Sequence, residues 1–371
     1  MSWRTVLVRA ALAVALVGCA GTPRDAANST PTKSADPTAT RSTPGDTTPS
    51  EPGEATTTEP TARGVVTLGF AGDVHFEAHL QPLLANPGRA FGPIEAALRK
   101  PDLMILNLET AITLRGAPEP KEYQFRTSPA ALDALDAAGI DLASMANNHA
   151  VDYGPVGLRD TLAALRDSPV PVIGVGEDVD AAFQPHEVTI RGTKVAVFAA
   201  TTKADHTAKE WAAGVDRAGV AVSLNPEPRL LKAVRQASDR VDVVVVYLHW
   251  GDEKDPCPTP SQLRHSRALS AAGADVVLGT HAHIPLGAGW LGDTYVNYGL
   301  GNFLWYNQFE TDSGILKVTI RNGEVVRDAW APAYIQADGR PQLLTGAQRA
   351  AEVAEWRRLR GCTGLAARPA D

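Results

Sequence analysis

The chain has 371 residues and carries 35 Lys and Arg against 42 Asp and Glu, for a formal net charge of −7. That length suits one large domain or two ordinary ones. The acidic balance, without any basic cluster, argues against nucleic acid as the main partner. It excludes neither phosphate nor a small anionic substrate, because a bound metal can supply local positive charge.

The N-terminus reads as an address. Arg4 and Arg9 flank the start of "AALAVALVG", a short apolar run of signal-peptide type, too short for a stable membrane span. The run ends in "LVGC", which resembles the bacterial lipobox. The resemblance implies a signal peptide over residues 1–18, cleavage before Cys19 and a lipid on that cysteine. The protein would then be extracytoplasmic and anchored to the bacterial cell membrane. An ordinary secretory peptide with an incidental Cys19 is the alternative. Residues 19–63 are almost entirely Ala, Thr, Pro, Ser, Gly, Asp and Glu. Such a segment buries too little apolar surface to offset the entropy of ordering, so a disordered tether, extended by its prolines, is expected.

Residues 64–371 read as one folded domain. Strands are expected at 65–72, 103–109, 141–147, 171–176, 194–200, 241–251, 274–280, 294–301, 314–320 and 325–335. Several are short continuous apolar runs, as in strands buried on both faces. Helical patterns lie between them at 92–100, 128–139, 154–167, 226–238 and 259–273, with Pro or Ser near each start. This alternation implies an α/β layered fold. The last third turns to consecutive strands, typical of antiparallel hairpins, and ends in an amphipathic pattern at 346–361. Beyond Cys19 the cysteines are Cys257 and Cys362. In an oxidising exterior they are a candidate disulfide that would pin the last helix to the loop after His249; two free thiols are the alternative.

Residues able to carry chemistry gather where strands end. Asp73 and His75 follow the first strand in "GFAGDVHFE", and Asn107 and Glu109 end the second in "LNLET". Asn147, Asn148 and His149 follow the third in "ANNHAVDYG", His249 ends "VVVVYLHWGDE", and His281 and His283 end "VVLGTHAH". Open α/β sheets bind ligands beyond the carboxyl ends of their strands. Carboxylate, imidazole and amide oxygen suit Mn, Fe or Zn. A lone histidine at a strand end is usually structural; a convergent set is not so easily explained.

The order D-x-H, E, N-H, H, H-x-H resembles the calcineurin-like metallophosphoesterases. "NLE", "NNHAVDYG", "HWGDE", "GTHAH" and "YGLGNF" are more closely similar to the branch named for the CapA poly-γ-glutamate capsule proteins, over about residues 66–310. The resemblance implies an α-β-β-α sandwich with the site at the C-terminal ends of the strands. It implies two divalent metal ions, about 3.5–4 Å apart in such sites, clamping a phosphoryl group. Asp73, His75 and His283 would hold one ion, Asn148, His249 and His281 the other, and Glu109 would bridge. His149 would give a proton to the leaving oxygen. Two departures bear on the rate. The bridging position is usually Asp and here is Glu109. The acid that usually follows the histidine is replaced by Ala150, with Asp152 the nearest substitute. Asn107, Asn147 and Asn302 are candidates for supporting or substrate contacts. Trp250 either walls the pocket or fills the core. His79, His186, His206 and His265 read as ordinary packing or surface residues.

Two functions fit this set. One is a phosphoesterase-type hydrolase acting on a phosphorylated or polyanionic envelope or exported substrate. The other is a component of a capsule-synthesis complex that binds, exports or cleaves an amide bond in poly-γ-glutamate. The ligand set with its proton donor favours chemistry; the altered third motif favours binding or a slow reaction.

Overall fold

The computed structural model describes residues 64–306 and 309–369. The expected signal peptide, Cys19 and the tether lie outside the described residues. Two large sheets form the body of the domain, beside two small two-stranded ones. The first is built around Val66–Val74, with Leu103–Leu108, Leu142–Ser144 and Val172–Ile173 added in parallel on one side. On the other side Asp312–Arg321, Glu324–Ile335 and Pro341–Leu343 follow as antiparallel strands, the hairpin series expected of the last third. The short strand Asn302–Leu304 pairs in parallel with the end of Val66–Val74. The second sheet runs Ala288–Leu291, Thr294–Asn297, Val276–Thr280, Val243–His249, Thr193–Thr201, His186–Ile190, parallel in its middle and antiparallel at both edges.

Alternation along the strands sets the layers. Val243, Val245 and Tyr247 share a core with Leu68, Phe70 and Ile105 of the first sheet. Val244, Val246 and Leu248 face the opposite way, onto Leu230 and Val234 of helix Pro228–Ser238 and Leu269 of helix Pro260–Ala271. Successive strand residues point to opposite faces, so one apolar run serves both layers. Leu132 and Leu135 of helix Ala130–Ala138 and Leu158 and Leu162 of helix Gly154–Arg166 also pack into the first sheet's core. The Tyr247 hydroxyl donates to the Ala71 carbonyl at 2.6 Å, a polar tie between the sheets.

Local chemistry explains several boundaries. Thr259 and Gln262 form a reciprocal capping box behind Pro260, and Gly139, at φ 86°, closes helix Ala130–Ala138. The expected strand at 171–176 is broken by Gly174, whose φ is 91° and whose Cβ would meet Ala146. Val172–Ile173 stays in the first sheet, while Val175–Gly176 pairs with Gly219–Val220. The expected helix at 92–100 is a 3-10 turn, Gly92–Ile94, leading into one helical turn, Glu95–Leu98. The last helix stops at Arg358 and a 3-10 turn carries the chain to Cys362. There Cys362 is disulfide-bonded to Cys257, with Cα atoms 5.7 Å apart, so the end of the chain is fastened to the loop after His249.

Candidate metal centre

The two sheets bring their carboxyl ends to one place. Across the first sheet, Asp73 lies in register with both Asn107 and Asn302. The Glu109 amide donates to Val74 O at 2.8 Å, which carries the carboxylate just past the strand end. A Cβ on Gly72 would sit 1.7 Å from Gly301 O, so only glycine lets the chain pass the 301–304 segment here. From the second sheet come His249, opposite Thr280, and then His281 and His283. Both latter histidines have positive φ, 87° and 61°. Non-glycine residues pay for that conformation, and such strain gathers at functional sites. Here the loop is held by the His281 amide, which donates to Asp73 Oδ2 at 3.1 Å.

Donor atoms converge in three overlapping groups: two share the Glu109 carboxylate, and the third joins the exposed Glu253 to His281 and His283. His249 Nε2 lies 2.8 Å from Asn148 Oδ1, 3.0 Å from His281 Nδ1 and 3.4 Å from Glu109 Oε1. Glu109, His249 and His281 present ligand atoms within 4.8 Å of one another, and so do Asp73, Glu109 and His283. Glu109 is fully buried, and neither of its oxygens has a hydrogen-bond partner among the described residues. A buried carboxylate left this way is costly unless a cation meets it. His281 Nε2 is likewise buried without a partner. The donor set and the orphaned carboxylate therefore fit divalent cations.

Charge is tuned around the same point. Burial works against the Asp73 charge, but His283, whose Nδ1 lies 3.6 Å from Oδ2, the neighbouring His249 and the Asn107 amide outweigh it and hold its carboxyl below the usual value. Burial also opposes a charge on His283, yet the Asp73 carboxylate, 3.6 Å from its Nδ1, and the Glu109 charge raise it to about 9. His281 is pushed well below the usual histidine value, first by burial and then by the surrounding histidines. A low value keeps that imidazole a free base, the form a metal needs.

Supporting contacts radiate from this core. Asn107 Nδ2 donates to Asp73 Oδ1 at 2.8 Å, and Asn147 Nδ2 donates to Asn107 Oδ1 at 3.0 Å and Leu108 O at 2.9 Å. Asn147 Oδ1 accepts the His149 amide at 3.0 Å. His149 Nδ1 lies 2.5 Å from Asp152 Oδ2, while its Nε2 faces Glu109 Oε1 at 3.9 Å. Asp152 thus reaches the histidine that Ala150 cannot serve. Sequence reasoning missed Lys121, whose ammonium touches Asp152, the Asn148 carbonyl and the His149 ring edge. Nothing in "PEPKEYQF" singles it out, because its partners are contributed by a segment 27–31 positions later.

Other expected residues take different places. His75 is buried, but it belongs to none of these donor groups. Its Nδ1 accepts the Glu77 amide at 3.0 Å, and its Nε2, like that of His281, is buried without a hydrogen-bond partner among the described residues. The ring stacks on Phe125 at 4.5 Å, and Phe125 stacks in turn on His149 at 4.1 Å. Asn302 Oδ1 lies 2.9 Å from His283 Nδ1, a contact that orients that imidazole. Trp250 is a core residue, donating to Tyr298 O at 2.9 Å and stacking on Tyr298. His206 pairs with Glu119, and His265 is buried between the Ser261 and Ser223 carbonyls.

Over His149 and His283 opens a cleft of 380 Å³ walled by Tyr123, Phe125, Trp305 and Tyr306. Glu253, Lys254 and Glu310 supply its charges, with Lys254 paired to Glu310 at 2.8 Å.

Residues 67–307 match the family model for the bacterial capsule synthesis protein PGA_cap. This chain belongs to that family. It is 28% identical over 298 residues to the capsule biosynthesis protein CapA of Bacillus anthracis, covering 76% of this chain and 70% of that one. It is 29% identical over 247 residues to the PGA biosynthesis protein CapA of Bacillus subtilis, covering 65% of this chain and 63% of that one. It is 32% identical over 191 residues to a "probable polyglutamine synthesis accessory protein" of Mycobacterium tuberculosis, covering half of each chain (50% and 50%). The resemblance drawn from the strand-end motifs is therefore a family relationship. The layered arrangement of this PGA_cap member, two facing sheets with helices outside them, puts the donor cluster at the C-terminal strand ends.

Proposed function

We propose that this protein is an extracytoplasmic, lipid-anchored hydrolase of the phosphoesterase type, using two divalent ions on an envelope or exported substrate of capsule or polyglutamate synthesis. Asn148, His249 and His281 would hold one ion, Asp73 and His283, with His75 beside them, would hold the other, and Glu109 would be shared; Mn, Fe and Zn all suit these donors. Two such ions supply Lewis-acid polarisation of the scissile group and a water activated at neutral pH. The observation that carries the reading is the clamp on His149. Its Nδ1 is held by Asp152 at 2.5 Å and its Nε2 is aimed at the centre, outside the ligand set. A site that only holds ions has no use for a clamped imidazole beside them, whereas hydrolysis needs a proton for the departing atom.

A second reading, action on a γ-glutamyl amide, draws on the names of the Bacillus and Mycobacterium relatives. The same histidine could protonate a leaving nitrogen. Passive holding of a polyanion is less well supported, because the cleft offers Glu253 and Glu310 against Lys254. His149→Ala is the test, assayed on phosphomonoester, phosphodiester and γ-glutamyl substrates beside metal analysis. Retained metal with turnover reduced about 10²–10⁴-fold is expected. Unchanged turnover removes the donor role, and activity confined to the γ-glutamyl substrate moves the amide reading ahead.

A further inference from the structure

Lys121 stands on a loop between two short strands, Ala111–Ile112 and Arg126–Thr127, yet its side chain is only 11% exposed. Long ammonium side chains are rarely so buried unless paired. Its Nζ lies 2.5 Å from Asp152 Oδ1 and 2.5 Å from Asn148 O. The other Asp152 oxygen accepts the Phe125 amide at 2.8 Å and meets His149 Nδ1 at 2.5 Å. Three donors, one of them an ammonium, thus converge on a carboxylate that is itself fully buried. His149 Nδ1 is 3.4 Å from Nζ, so the shorter contact to Asp152 decides where the ring hydrogen sits. Nδ1–H donates to Asp152, and Nε2 is left facing the centre.

We infer that Lys121 is a positioning residue for the proton donor: by holding Asp152 on one oxygen it turns the other onto His149 Nδ1 and keeps Nε2 directed at the leaving group. The inference rests on the hydrolase reading for its rate test but not for its spectroscopic one. In that reaction the bond from phosphorus to the leaving oxygen breaks with its electron pair on oxygen. That oxygen takes the proton from His149 Nε2. The attacking water forms the new bond and releases a proton to solvent, and His149 is reprotonated from solvent. The Lys121 ammonium sets a positive charge against the fully buried Asp152 carboxylate, which keeps that carboxylate in place. Its second bond, to Asn148 O, fixes the backbone next to His149 in the same contact.

The test uses the full, zinc-loaded chain with Lys121→Met, which keeps the stem and removes the charge, and Lys121→Arg, which keeps a cation. With glycerol 2-phosphate, whose alkoxide leaves poorly, kcat of Lys121→Met should fall about 10–100-fold, the usual range for an outer supporting contact. With p-nitrophenyl phosphate, whose leaving group needs little protonation, the loss should stay within about 3-fold. KM and bound zinc should not change, and Lys121→Arg should recover part of the glycerol phosphate rate. Imidazole nitrogen NMR, with His149→Gln to assign the signal, should show a protonated, hydrogen-bonded Nδ1 in the wild type and its loss or exchange-broadening in Lys121→Met. Equal losses on both esters, loss of zinc, or an unaltered His149 spectrum would overturn the inference. If the wild type cleaves neither ester, the hydrolase reading fails by itself and the His149 spectrum alone decides the role of Lys121.

Discussion

Glu109→Gln should reverse its effect on stability when metal is added. In protein stripped by chelator, the wild-type carboxylate is buried with no hydrogen-bond partner among the described residues. An unsatisfied buried group costs about 1–3 kcal/mol, more when charged. The amide keeps the shape, loses the charge and can turn its carbonyl oxygen toward His249 Nε2, which donates to Asn148 Oδ1 at 2.8 Å and lies 3.4 Å from Glu109 Oε1. A folded domain of roughly 300 residues has an unfolding entropy of about 0.63 kcal/mol/K, so relief of 1–3 kcal/mol raises Tm by about 2–5 °C. The gain should be larger near pH 9.5 than at pH 7, because below about 9 the His283 imidazolium partly offsets the Glu109 charge. With metal the sign changes. Each site filled at a hundred times its Kd adds about 2.7 kcal/mol, so two sites raise the wild-type Tm by about 9 °C. Glu109→Gln should lose most of that increment, since two of the donor groups share the residue. Scanning calorimetry of both proteins, with chelator and with zinc, measures the four values. An equal drop in Tm under both conditions, or an undiminished metal increment in the variant, would refute the reasoning.

Three further outcomes are expected. Replacing Cys257 and Cys362 by Ser opens a loop of 105 residues; the chain-entropy model gives about 4.7 kcal/mol, or a Tm lower by about 7 °C, and a shift under about 1 °C would count against it. Because His283 is raised to about 9, its contribution to metal-free stability is full below about pH 6.5 and is lost as pH rises through about 9; metal uptake at pH 7.5 should then release about one proton, measurable by titration calorimetry in two buffers of different ionisation enthalpy, and no release would contradict this. Cys19→Ser should shift the protein from the membrane fraction to the medium; unchanged fractionation would remove the lipid anchor.

Much of the fold was legible in the sequence because strand and helix periods are local properties. Val243 to Leu248 announces a strand buried on both faces, and both faces are indeed covered. Thr259 and Pro260 announce a helix start through chemistry that acts over three residues. The donor residues were legible for a related reason. Parallel strands deliver the residues beyond their carboxyl ends to one edge, so Asp73, Glu109, Asn148, His249, His281 and His283 had to come near one another once the strands were recognised. Which atoms face which was decided only by the tertiary structure. His75 has the spacing of a ligand; only the tertiary structure shows that the Glu77 amide occupies its Nδ1, that the ring stacks on Phe125 and that Nε2 is left without a partner among the described residues. Asp152 replaces the acid missing at position 150 because the turn before Gly154 brings its carboxylate onto His149. Lys121 had no signal at all. Its role depends on a loop folding back over the third motif, and side-chain contacts between segments that share no periodicity leave no pattern in either one.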